Sequence, residues 1–156
     1  MSQALQERVR ELADGTTPPV AALDGRPAAE QEALAWALKD EAIASWTSDP
    51  DRTRRCAAAL AWLARASPAP EVQAAAAWGA GMEQLTRGEM DKALDSFDIA
   101  GRTLEALGQE LRAAQSQIPR LIALSMLGRH DEAVACAERV RARLIEGGDE
   151  LGAGKT

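Results

Sequence analysis

Three observations predict an all-α fold of helical hairpins packed in series. Apolar residues make up 46 % of the chain but aromatics only 3 %, with four Trp, one Phe and no Tyr. Alanine is the commonest apolar residue; it is the strongest helix former and lets helices approach closely. The alternating runs of Val, Ile and Thr that mark strands are absent. Finally, the chain resembles itself when slid by forty residues, with helix-breaking glycines in register. At 156 residues it has the size of one ordinary domain, long enough to bury a core.

The elements follow in order. Ser2 to Ala13 predicts a short helix with Leu5, Val9 and Leu12 in one stripe and Gly15 just beyond its end. The stretch Gly15–Val20, GTTPPV, breaks it. Pro27 opens the next helix, which carries Leu34, Trp36, Leu38 and Ile43 up to Thr47-Ser48-Asp49-Pro50. There Asp49 is a good N-cap and Pro50 a good first helical residue, since proline has no N–H to leave unpaired. The third helix runs through Cys56, Leu60 and Leu63 and stops at Ser67-Pro68-Ala69-Pro70. A fourth covers about Glu71 to Thr86, and Gly88-Glu89-Met90-Asp91 turns the chain into a fifth that reaches about Leu107. Beyond Gly108 a sixth helix is expected from Leu111 to Leu127, kinked by Pro119, which removes one backbone hydrogen bond. Gly128-Arg129-His130-Asp131 turns into a seventh that runs to about Glu146. Short turns between helices of similar length imply antiparallel neighbours.

The forty-residue shift brings Gly88 onto Gly128, Asp91 onto Asp131, Ala93 onto Ala133, Leu104 onto Leu144 and Gly108 onto Gly148. Glu110, Leu111 and Ala113 fall on Glu150, Leu151 and Ala153, while Leu94 matches Val134 in kind. Turn glycines and packing-stripe residues are the positions that geometry constrains. The register also explains the C-terminal run GGDELGAGKT, which superficially suggests a phosphate-binding loop. In that motif a Gly should stand where Asp149 stands, and the loop should follow a buried strand. Residues 148–156 instead repeat the segment beginning at Gly108, as the start of a further hairpin. The expected organisation is a degenerate helical region over 1–70, two hairpins over 71–147 and a truncated unit over 148–156.

These units resemble tetratricopeptide repeats. Gly88, Ala93, Phe97 and Ala100 fit the pattern of that family's second helix. Gly81 stands seven residues before the turn glycine, at the small position of the first helix, and Trp78 lies near its aromatic position. The second unit keeps Gly128 and Ala133 but has Ala137 and Val140 where Phe97 and Ala100 stand. A forty-residue period resembles the longer-helix variants of a family whose common period is about thirty-four. The helix after Ser48-Asp49-Pro50 and the AAAAWGAG segment resemble the repeat arrays that precede caspase-like CHAT protease domains. The resemblance implies a right-handed α-α superhelix of stacked antiparallel hairpins, with a concave groove lined mainly by first helices. It further implies that an extended peptide or partner helix is held there.

Charge and chemistry point away from other classes. A net charge of −6 argues against binding driven by phosphate neutralisation and against anionic membranes. No apolar run spans a bilayer and the N-terminus lacks a secretory h-region, so a cytoplasmic location is expected. Cys56 and Cys136 fit a reducing compartment, Cys56 as a small buried apolar residue. His130, the only histidine, reads as an exposed turn residue and does not share a helix face with Cys136. One His and two separated Cys make no metal site, no cofactor is expected, and the carboxylates belong to solvated faces and first turns.

The function expected is non-catalytic binding of another protein or peptide. The alternative is a regulatory repeat region of a larger CHAT protease or multidomain signalling protein. Groove candidates are Trp78, Met82 and Leu85 on one first helix and Gln115, Ile122 and Ser125 on the next, with packing between hairpins as the competing role for the Trp residues. The stripe Val134, Val140 and Leu144 on the last long helix is expected to stay partly uncovered and to allow self-association.

Overall fold

A computed structural model describes residues 2–19 and 25–156. Val20, at the end of the expected break, lies outside them. Among the described residues there is no strand, and none of the helices is long and apolar enough to cross a membrane. The helices are α1 (Gln3–Asp14), α2 (Ala28–Ser45), α3 (Pro50–Ala66), α4 (Pro70–Thr86), α5 (Met90–Ala106), α6 (Glu110–Ser116), α7 (Ile118–Met126), α8 (His130–Glu146) and the single turn α9 (Glu150–Ala153). The pairs α2–α3, α4–α5 and α6/α7–α8 are antiparallel hairpins stacked in sequence, with α1 packed on α2 and α3.

Local chemistry sets the helix ends. The Ser2 hydroxyl accepts from the Leu5 N–H at 3.3 Å, and the Asp49 carboxylate accepts from the Arg52 N–H at 2.9 Å with Pro50 at the first helical position. The later turns share one solution. Gly88, Gly108, Gly128 and Gly148 are all left-handed, with φ of 75°, 69°, 71° and 80°. The residue after each glycine donates its N–H to the carbonyl four residues before that glycine, at 2.8–2.9 Å. This is the Schellman arrangement, which satisfies a terminal carbonyl and which a side chain at the glycine would strain. The turns therefore recur every twenty residues, twice in each forty-residue unit.

Small residues set how closely the helices cross. A Cβ placed on Gly81 of α4 would lie 2.4 Å from Cε1 of Phe97 on α5. Phe97, fully buried, fills the space that the glycine leaves. Gly79 does the same for Leu60 on the preceding hairpin, where an added Cβ would also come within 2.4 Å of Cδ1. Two apolar cores result, one from Val9 to Ala75 and one from Ala74 to Ala153, and they meet at α4 and at Trp36, which packs against both. Polar ties join the first hairpin to α1: Arg52 pairs with both Glu41 and Asp14, and Arg55 donates to the Ala13 carbonyl.

The structure departs from the expected helices in one region. The helix expected over Leu111 to Leu127 is two helices, α6 and α7, broken at Gln117 rather than bent. Pro119 is the second residue of α7, where its missing N–H costs nothing, and it is buried. The Gln117 side-chain amide ties the break to α5 by donating to the Phe97 carbonyl at 2.8 Å.

The stripe expected to stay partly uncovered on α8 is exposed at Val134 alone. Val140 and Leu144 are buried, because they face α6 and α7 and because the α9 turn folds back with Ala153 in the same core. Only Val134 of the three is exposed, so the stripe proposed for self-association is largely spent on packing inside the chain.

Candidate functional site

The first helices α2, α4 and α6–α7 line one side of the stack. Lys39, Ile43 and Trp46 on α2 are spaced i, i+4, i+7, which places them on one face. Trp78, Met82 and Leu85 repeat that spacing on α4, as do Gln115, Pro119 and Ile122 on α6–α7. All of these except Leu85 line a groove of about 500 Å³, closed at one end by Leu151, Gly152 and Lys155 around α9. α4 packs along α2 but makes little backbone approach to α6 or α7, and the groove occupies that gap.

The groove has a rigid floor and softer walls. Trp78 and Met82 are 4 % and 2 % exposed, so they present a floor held by the core rather than projecting side chains. Ile43, Trp46, Ile118 and Leu121 are half-buried, and Ile122 and Leu151 are exposed. Of the residues expected in the groove, the structure brings Trp78, Met82, Gln115 and Ile122 together. Leu85 is not among the lining residues: close to the Gly88 turn, it points into the α4–α5 core. Ser125 is exposed on α7 beyond the end of the groove.

The cations beside the site, Lys39 and Arg112, are residues that the sequence did not single out. The Lys39 Nζ lies 4.4 Å from the centre of the Trp78 ring and 5.6 Å from that of Trp36, and it pairs with Asp40. The Arg112 guanidinium, from α6, sits 4.5 Å from the centre of the same Trp36 ring. Cations over indole faces are attracted by the ring quadrupole, the more so when desolvated. Lys39 is only 8 % exposed, so the stack Arg112–Trp36–Lys39–Trp78 is a partly buried strut running from α6 across α2 to α4. The indole N–H groups of Trp36 and Trp78 are buried without an acceptor among the described residues, so both rings act through their faces. At the closed end, the Gln115 side-chain amide donates to the Asp149 carboxylate at 2.8 Å. Asp149 also caps α9 by accepting from the Gly152 N–H at 2.8 Å. The two bonds, Gln115 foremost, hold the Asp149 carboxyl below its ordinary range.

The signal for the missed residues was present. The i, i+4, i+7 spacing of Trp78, Met82 and Leu85 also occurs on α2, headed there by a lysine.

The remaining reactive side chains are placed apart. Cys56 is buried in the α1–α3 core, where burial pushes its thiol up to about 12, and Cys136 is buried on the inner face of α8. His130 is exposed at the start of α8. Among the described residues no three His, Cys, Asp or Glu side chains gather where they could hold a metal ion. No protein-family model, curated protein or solved structure matches the chain.

Proposed function

We propose that this chain is a non-catalytic helical-repeat module, similar to tetratricopeptide arrays, that binds a segment of another protein in the groove between α2, α4 and α6–α7. The observation that carries the reading is the convergence of one stripe from each first helix on a single preformed apolar groove. A concave surface held by the core is ordered before the partner arrives, so little conformational entropy is lost on binding. The occupant that fits is a short helix or extended segment with two or three large apolar anchors and a neighbouring basic residue. Ile43, Trp46, Ile118, Ile122 and Leu151 offer contacts to the anchors, and Asp40, with its side chain 70 % exposed at the rim, offers one to the cation. The net charge of −6 steers the same kind of partner.

Selection from a random peptide library tests this. Enriched peptides with paired apolar anchors beside Lys or Arg, displaced from Ile122→Glu but not from Ile99→Glu, are the expected result. Ile99 is an exposed isoleucine on α5, away from the groove. No enrichment, or binding that Ile122→Glu leaves intact, would overturn the reading. Trp78→Ala is a poor probe, because removing so buried a ring damages the core itself.

A further inference from the structure

A second cavity, of about 260 Å³, opens between the second helices α5 and α8 and shares no lining residue with the groove. Its charged lining is Asp98, Arg102 and Glu105 from α5, Arg120 from α7, and Arg139 and Arg143 from α8. Four guanidiniums face two carboxylates, so the cavity carries two excess positive charges in a chain whose net charge is −6. Two of the arginines are fixed in place: Arg120 pairs with Asp98 and Arg143 with Glu105. A guanidinium has five N–H donors, so each keeps donors to spare after meeting one carboxylate. The other two are uncompensated. Arg102 donates only to the Asp98 backbone carbonyl, at 3.3 Å, and Arg139 has no ion pair among the described residues. Arg139 and Arg143 lie four residues apart on one helix face, where like charges repel. Beneath them the floor is small and apolar, made by Gly101, Ala114, Cys136 and Val140, which weakens solvent screening of an ion seated above.

We infer that this cavity binds the dianion of a phosphate group, held by Arg102 of α5 and Arg139 of α8 with Arg120 and Arg143 supplying further N–H donors. The charge of such a group matches the two uncompensated arginines. Its tetrahedral oxygens suit donors converging from three helices better than a planar carboxylate does.

Calorimetric titration of the full chain with inorganic phosphate, and separately with a phosphoserine peptide, tests the assignment. Saturable binding of at least one probe is expected, weakened about tenfold or more in the Arg102→Gln, Arg139→Gln double variant. Arg141→Gln, on α8 but outside the cavity, should leave it unchanged. Both mutated arginines are exposed, so folding is not at risk, and circular dichroism verifies this. Tighter binding of the peptide identifies an esterified phosphate as the ligand, and equal or tighter binding of the free ion identifies inorganic phosphate. Binding of neither probe, or undiminished binding in the double variant, would overturn the proposal.

Discussion

Gly81 lies directly beneath the Phe97 ring, with room for a hydrogen and not for a methyl group. The contact joins the two helices of the central hairpin. Gly81→Ala gains helix propensity of about 1 kcal/mol but forces a fully buried ring aside, and overpacking of this kind costs about 1–3 kcal/mol. A net loss of stability is expected, read as a lower denaturant midpoint. Ala93→Leu, at another fully buried position on α5, should lose a comparable 1–3 kcal/mol, roughly the range for overpacked cores. Unchanged midpoints for both would contradict the packing described.

The strut of cations and indoles gives a second expectation. Arg112→Ala should lower stability by about 0.5–1 kcal/mol, the range for a cation over an indole at an exposed site. The same change should shift the tryptophan emission spectrum, since Trp36 loses the charge on one face. An unaltered spectrum would mean that the contact is not populated in solution.

Cys56 predicts a pH dependence. Its folded thiol is held near 12, above its ordinary value of 9.0, chiefly by burial. Between those values the unfolded thiol loses its proton while the folded one keeps it, so the unfolded state binds fewer protons and stability falls as pH rises. Within that window the slope approaches about 1.4 kcal/mol per pH unit. Urea midpoints at pH 8 and pH 10 measure it, with Cys56→Ala as the control that should flatten the difference. The thiol should also resist alkylation until the chain unfolds, because the thiolate is the reactive form.

At the closed end of the groove, the Gln115 side-chain amide resonance should titrate with Asp149, with a midpoint below the ordinary carboxyl value of 3.8. Above that midpoint the charged acceptor holds both Gln115 and the α9 cap. As pH falls through it, both bonds weaken and α9 frays. A midpoint at or above the ordinary value would show that the two bonds are not formed.

The forty-residue register made the hairpins legible because glycine at a left-handed turn and small residues at crossings leave a mark in the sequence. Leu104 and Leu144, a matched pair, are both fully buried. The register said less about residues whose surroundings differ between units. Leu94 is buried while its counterpart Val134 is 59 % exposed, because α5 lies between α4 and the α6–α7 pair whereas α8 meets only the single turn α9 beyond that pair. Pro119 announced a disturbance, but not that Gln117, at the break, donates to the Phe97 carbonyl, a contact twenty residues distant in sequence. Lys39 was hidden for a related reason: a charged residue signals solvent unless two indoles, one of them thirty-nine residues away at the equivalent place in the next hairpin, are known to enclose it.

The evenly spaced glycine turns have one more consequence. Excising residues 89–128 would join Gly88 to Arg129 and regenerate an intact turn, so the connections by themselves tolerate loss or duplication of a whole unit. The interior does not. In the shortened chain Ala137 would stand where Phe97 now covers Gly81, leaving a void the size of a phenyl ring. The number of units is therefore set by which large side chain answers which glycine, and the loops between them are interchangeable.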